Sequence, residues 1–424
     1  MININKNKML NTRSKIKKIL KEQLELIKLS ESEINRINKV GREFAEELRE
    51  KLKNKKIKGE VFIGGSLAKK TLVKKDIYDI DVFVRFYEQK DIPRLKEILL
   101  KAKKVHGSRD YYQIKRKEVV IEIIPVLKIS KPEESINVTD LSYFHVNYIL
   151  KKIKSNKKLV NEIILAKSFA HAQNCYGAES YIKGFSGYAL ELLVCHYKSF
   201  LSFIKEISKL DIKKRLVIDD AKFYKNKNIM EEINKSKIGS IILIDPTFKE
   251  RNAVSSLSKE TLIKFQNACK SFLKSPSSNF FIKKPIFEGF KKYKNLKILK
   301  IKTNKQAGDI SGTKSKKFFG FFISRLKKSF DIKKSGFEYN EEKNIASFYF
   351  VLNKKKSNVI KGPPVSSINN LKNFKKAHTK AFIKKGFAYV KLIHTLTFDK
   401  WFKKFLRKDK KIIREMGVKS VRLA

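Results

Sequence analysis

Asp79 and Asp81 stand two residues apart in the segment VFIGGSLAKKTLVKKDIYDIDVFVRF, residues 61–86. This segment reads as strand, Gly-Gly-Ser turn, basic helix and second strand. On a strand, side chains two apart leave from the same face, so both carboxylates point one way. Held together like that they repel each other, and a divalent cation is the group that neutralises them. A little earlier, Gly65 and Ser66 open a turn whose backbone N–H groups can receive phosphate. These residue types at this spacing point to a nucleoside triphosphate, Mg²⁺ and phosphoryl transfer. Holding two octahedral Mg²⁺ ions calls for a third acid. Glu122, a lone charge in the apolar run VVIEIIPV, is the better candidate. Glu118 falls on the same face by the period of two and is its rival. In such a site one Mg²⁺ would lower the pKa of an attacking 3′-hydroxyl, and the other would clamp the triphosphate and stabilise the leaving pyrophosphate.

The elements that must position these groups follow from the apolar spacing. Residues 12–56 repeat at helical spacing (Ile16, Leu20, Leu24, Ile27, then Ile34, Ile37, Val40, Phe44, Leu48) and predict two helices. Strands are expected at 60–63, 79–86, 111–115 and 118–127, and a helix at 91–104. This order suits a small mixed sheet with helices on one face. Residues 141–208 turn helical, with breaks near 174–177 and 184–187. A short strand at 241–244 ends at Asp245-Pro246, and 258–274 forms an amphipathic helix. The last third alternates strands (347–352, 387–392) with helices (315–329, 368–376, 399–408), and Gly362-Pro363-Pro364 reads as a firm break.

Composition bounds the function. Net charge is +55, unevenly spread: residues 281–424 hold 39 Lys and Arg against 9 Asp and Glu, a net of +30. Such a density implies a polyanionic partner, most simply nucleic acid. Compositional drift, with Lys far outnumbering Arg, accounts for the magnitude better than for the asymmetry. Basic residues interleave with aromatics in KKYKNLK, KKFFGFF, KKGFAYV and KWFKKFLRK. Lysine on phosphate plus stacking by Phe, Tyr or Trp401 would suit RNA, while the plainer alternative makes the aromatics core and the lysines an outer face. There is no run of 18 apolar residues, so no membrane helix is expected. The basic N-terminus lacks the apolar stretch of a signal peptide. Cys175, Cys195 and Cys269 are too scattered for a disulfide framework or a zinc site, which fits a reducing cytoplasm.

GGSLAKKT followed by DIDVFV resembles the signature of the DNA polymerase β-type nucleotidyltransferases. Three further segments narrow the likeness: LAKSFAHAQNCYGAESYIKGFSGYALELLVCHYKSF (165–200), IDPTFKERNAVSSLSKETLIKFQ (244–266) and KGPPV (361–365). With these the chain resembles the archaeal, class I CCA-adding enzymes, tRNA nucleotidyltransferases that rebuild the 3′-terminal CCA from CTP and ATP without a nucleic-acid template. The likeness is strong over 60–275 and thinner beyond.

The resemblance implies an α+β multidomain protein: a polymerase β-like nucleotidyltransferase head (1–140), a helical neck closing on the nucleotide (141–270), and a basic α/β body and tail that binds tRNA (271–424). It implies that Gly65 and Ser66 hold the triphosphate, with Lys69 where the family has an arginine. Asp79, Asp81 and Glu122 would be the metal ligands, Glu122 standing where the family has aspartate. Lys167 and Tyr176 would contact the triphosphate, and His145 and Arg251 would flank the incoming nucleotide. On residue type alone, Lys167 reads equally as a solvated helix lysine, Tyr176 as a turn aromatic, His145 as a structural histidine and Arg251 as a helix cap. The implied partner is the acceptor stem and TΨC arm of tRNA, and a homodimer would fit the family. A poly(A) polymerase or oligoadenylate synthase-like enzyme, and a basic RNA-binding protein with a degenerate catalytic domain, are the alternatives.

Overall fold

The computed structural model describes residues 2–107, 109–225, 229–234, 237–304, 308–355, 357–393 and 396–424. It divides into two compact units, Met1–Lys283 and Lys284–Ala424. The head and neck expected from the sequence both fall in the first.

Two long helices open the chain, α1 (Ile2–Ile27) and α2 (Glu31–Asn54). Ser30 starts α2 with a capping box: its hydroxyl accepts from Glu33 N, and Glu33 Oε2 accepts from Ser30 N at 2.8 Å. Strands β1 (Gly59–Ile63), β2 (Tyr78–Phe86), β3 (Lys103–Val105), β4 (Tyr111–Arg116) and β5 (Val119–Leu127) form one sheet in the order β1-β2-β5-β4-β3. Its central pair, β2 and β5, is parallel. Strand alternation sorts the sheet's faces: Ile80, Val82, Val84, Ile121 and Ile123 pack with Phe44 and Leu48 of α2, while Asp79, Asp81 and Glu122 leave from the other side. A one-turn helix α3 (Gly65–Ala68) follows β1. The expected helix at 91–104 is not formed. Pro93 sits in a 3₁₀ segment, Gln89–Arg94, leaving one turn of α4 (Leu95–Ile98) before the chain extends into β3.

Helices α5 (Ser142–Ser155), α6 (Leu159–Ala172), α7 (Gly187–Tyr197) and α8 (Phe200–Lys209) build the second core. Phe169, Phe185, Phe203, Phe265 and Phe272 lie at its centre, and Ile16 and Ile19 of α1 join it. A short helix α9 (Ile229–Glu232) and a sheet of β6 (Leu216–Ile218), β7 (Ile241–Asp245) and β8 (Phe248–Asn252) precede α10 (Lys259–Lys274), which Ser258 caps.

The second unit is antiparallel. Strands β9 (Leu296–Thr303), β10 (Phe330–Asn340), β11 (Ile345–Lys354) and β15 (Val418–Leu423) form one sheet, with α11 (Gly308–Leu326), α13 (Phe398–Lys408) and α14 (Lys410–Glu415). Strands β12 (Ser357–Pro364), β13 (Ala381–Lys384) and β14 (Phe387–Ile393) form another, beside α12 (Ile368–Ala377). The Gly362-Pro363-Pro364 break falls where β12 ends, at Pro364, before a turn. An edge strand tolerates proline's missing N–H, and the register slips between Lys361 and Pro364. Gly362 is needed there, since a Cβ would stand 2.7 Å from the Phe374 ring. Among the described residues no helix is long and apolar enough to cross a membrane.

Candidate active site

The parallel register sets Asp79 opposite Val120 and Asp81 opposite Glu122. Glu122, rather than Glu118, is therefore the acid beside the aspartates. Glu118 precedes β5 and is paired with Arg36, at 3.1 Å to Nε. Gly65, at φ +60, turns its backbone onto this cluster so closely that a Cβ would collide with Asp81 Oδ2. Gly64 N donates to Asp81 O at 2.9 Å and ties the turn to β2.

Burial raises the Asp81 carboxyl to about 6, with Asp79 pushing the same way and Lys69 and Lys167 opposing. Burial likewise raises Glu122 to about 7, with the Asp81 and Asp79 charges adding and a hydrogen bond from Gln113 opposing. Three hard oxygen donors in mutual repulsion are the donor set a divalent cation of the Mg²⁺ type takes. Two of them carry protein partners: Lys75 pairs with Asp79, and Gln113 Nε2 donates to Glu122 Oε1 at 2.8 Å. As placed, no three His, Cys, Asp or Glu side chains among the described residues form a ready metal cluster. Asp79 and Glu122 would have to exchange those partners to share an ion with Asp81.

Lys69 and Lys167, expected on the triphosphate, are brought together from the end of α3 and the middle of α6. Both are buried, and both ammoniums end on Glu191 of α7: Lys69 Nζ lies 2.6 Å from Oε2 and Lys167 Nζ 2.8 Å from Oε1. Lys167 also donates to Thr71 Oγ1 at 2.9 Å. Burial alone would raise the Glu191 carboxyl, but Lys167 and Lys69 outweigh it and hold it below its ordinary value. Tyr176 extends toward the N-terminus of α7. Its hydroxyl lies where a Gly187 Cβ would come within 2.9 Å, so glycine is needed there. Burial raises the Tyr176 phenol, and the Glu191 and Asp81 charges add to that.

His145 and Arg251 converge on Asp245, at the end of β7. Asp245 Oδ2 lies 3.0 Å from His145 Nε2 and pairs with Arg251. Its other oxygen accepts from Tyr188 OH at 2.9 Å and Thr247 Oγ1 at 2.7 Å. Desolvation would raise the Asp245 carboxyl, but the close approach and charge of His145, with the Arg251 charge, hold it well below the carboxylate range. The His145 ring stacks on Tyr188 at 4.1 Å between centroids, and burial keeps its pKa below that of free imidazole.

Glu191, Asp245 and Thr71 are the residues that sequence reasoning missed. Glu191 was visible only as the single acid in the apolar run YALELLV, the same signal that singled out Glu122.

In KKFFGFF and KWFKKFLRK the basic–aromatic interleaving resolves to the plainer alternative, with aromatics in the core. Phe318, Phe322, Trp401, Phe402 and Phe405 are buried together, Trp401 being 9% exposed. Lys400, Lys403, Lys404 and Lys408 occupy the exposed side of α13. An amphipathic helix produces this pattern, with its aromatics in the core and its lysines in solvent.

Residues 42–160 match the family model described as a nucleotidyltransferase domain, and 161–282 match that of the tRNA nucleotidyltransferase second domain. The chain is 44% identical over 209 residues to the CCA-adding enzyme of Nanoarchaeum equitans, covering 47% of this chain and 51% of that one. It is 33% identical over 282 residues to the CCA-adding enzyme of Methanocaldococcus jannaschii, covering 63% and 61%. It thus spans between half and two thirds of the length of these curated relatives. A solved structure of Cid1, an RNA terminal uridylyl transferase, aligns at a TM-score of 0.50 and 14% identity over 64% of this chain and 99% of that one, a likeness of fold alone. By these matches residues 42–282 carry a nucleotidyltransferase domain followed by the second domain of the tRNA nucleotidyltransferases.

Proposed function

We propose that this chain is a CCA-adding tRNA nucleotidyltransferase, adding two C residues from CTP and one A from ATP to the 3′ end of tRNA, with release of pyrophosphate. The observation that carries the reading is the Asp81–Glu122 register pair, with Asp79 on the same face and the Gly65 turn packed against it.

Asp79, Asp81 and Glu122 would hold the metal ions. Two Mg²⁺ bound there would lower the pKa of the attacking 3′-hydroxyl and stabilise the leaving pyrophosphate. Gly65 and Ser66 present backbone N–H groups to the triphosphate. Lys69 and Lys167 offer it two ammoniums in a site shielded from water, where charge counts for more than in solution. Lys69 replaces a bidentate arginine fork with a point charge. Tyr176 closes the same end. His145 and Arg251, fixed by Asp245, flank the base, and Arg251 reads it together with the RNA end. The exposed lysines of residues 284–424 meet the phosphates of the acceptor stem and TΨC arm, recognised mainly by shape. A tRNA substrate and scattered free cysteines agree with a cytoplasmic setting, for a monomer or homodimer alike.

Equilibrium binding of CTP with and without Mg²⁺ tests the site. Binding that depends on Mg²⁺ in the wild-type chain, and loses that dependence in Asp79→Ala and Asp81→Ala, is the expected result. CTP binding indifferent to both changes would overturn the metal assignment.

A further inference from the structure

Resting on that triphosphate reading, we propose that Glu191 is a positioning residue: its single carboxylate holds the Lys69 and Lys167 ammoniums side by side as a preformed seat for the polyphosphate of the incoming nucleotide. The geometry is specific. Each Glu191 oxygen takes one ammonium, at 2.6 and 2.8 Å, and the Thr71 hydroxyl joins the same oxygen as Lys167 at 3.4 Å. All three ionic side chains are buried, with exposures of 8%, 7% and 1% for Lys69, Lys167 and Glu191.

The charge does not close. Two cations meet one anion, so the cluster carries one surplus positive charge in a place where an unpaired charge is costly. The N–H groups do not close either. An ammonium has three; Lys167 spends one on Glu191 and one on Thr71, and Lys69 spends one on Glu191. A latch serving only to join α3 to α6 and α7 would need one lysine, not two. Both lysines also act electrostatically on Asp81, which offsets part of that surplus without a direct ion pair and links the cluster to the carboxylates where the triphosphate is expected. A polyphosphate is the ligand that supplies the missing negative charge and accepts the remaining N–H bonds. Without the Glu191 charge, two ammoniums share a buried site with no counter-ion. At least one must then turn away or give up its proton, and the seat is lost.

The test uses the full chain and inorganic tripolyphosphate as probe, by titration calorimetry. Glu191→Gln, close to isosteric but uncharged, is expected to bind it about tenfold more weakly or worse. Glu191→Asp, which keeps the charge, is expected to recover most of the loss. In steady-state extension the Gln variant should raise KM for CTP more than it lowers kcat, with tRNA affinity unchanged. If Glu191→Gln does not fold, Thr71→Val reads the same cluster through Lys167, with binding about threefold weaker. Wild-type binding matched by a folded Gln variant would overturn the role of Glu191 while leaving the functional reading intact. A wild-type chain that fails to bind tripolyphosphate would overturn both.

Discussion

Glu191, sealed between two lysines with 1% of its side chain exposed, and Lys403, standing exposed on a helix whose other face is Trp401 and Phe405, mark how differently the two units use charge. In the first unit, acids and bases go inside and meet as sets: Asp81 with Glu122, Glu191 with Lys69 and Lys167, Asp245 with His145 and Arg251. Burying charge is costly, and groups that accept that cost are arranged for chemistry or for strict positioning. In the second unit the interior is aromatic and, apart from Asp409 paired with Arg325 at 2.9 Å, the described charges lie largely in water, where lysine would make a general phosphate-binding surface at little cost to folding. On the proposed reading, a residue's position should matter greatly in the first unit, and the number of lysines in the second.

That contrast can be broken at several points. The largest effect is expected from Asp79→Ala or Asp81→Ala. Losing a metal ligand should cost about 4 kcal/mol of transition-state stabilisation, roughly 10³-fold in kcat, with tRNA affinity within about twofold of wild type. Residual turnover near wild type would place the chemistry elsewhere. Phe322→Ala should cost about 3–5 kcal/mol of stability, read by denaturant melting, because Phe322 is fully buried against Trp401 and Phe405. A variant as stable as wild type but poor in RNA binding would return the aromatics to the stacking role. Glu122→Gln should lower kcat about 10²-fold, whereas Glu118→Gln, which only loses an exposed pair with Arg36, should stay within about twofold. The reverse pattern would mean the wrong acid was chosen. The smallest effect belongs to the surface: Lys403→Ala should weaken tRNA binding only a few-fold and reduce the salt slope by about one. A single lysine whose loss abolished binding would contradict a distributed surface.

The carboxylate set was legible because a period-two pattern makes Asp79 and Asp81 share a face whatever the rest of the fold does. An acid flanked by Ile121 and Ile123 needs a partner, which drew attention to Glu122. Lys69, Lys167, His145 and Arg251 were reachable only through family resemblance. What escaped was what they converge on. Glu191 contacts Lys69 across 122 positions of chain and Asp245 meets His145 across 100, and spacing carries no information at that range. The missed helix at 91–104 and the break at Gly362-Pro363-Pro364 both turn on proline. Proline's effect depends on its setting: Pro93 turned a helical pattern into 3₁₀, whereas Pro363 and Pro364 were accommodated on an edge strand. The interleaved lysines and aromatics left two readings open in the sequence, because a helical amphipathic face and an RNA-stacking face look alike until burial is known.

The central claim is tested most directly by extension of a tRNA transcript that ends at the discriminator base, in Mg²⁺, with CTP alone, ATP alone and both, resolved on a sequencing gel. The account predicts two additions with CTP, a third only when ATP is also present, and then a stop. A long ladder with ATP alone, or no extension despite tight tRNA binding, would contradict it.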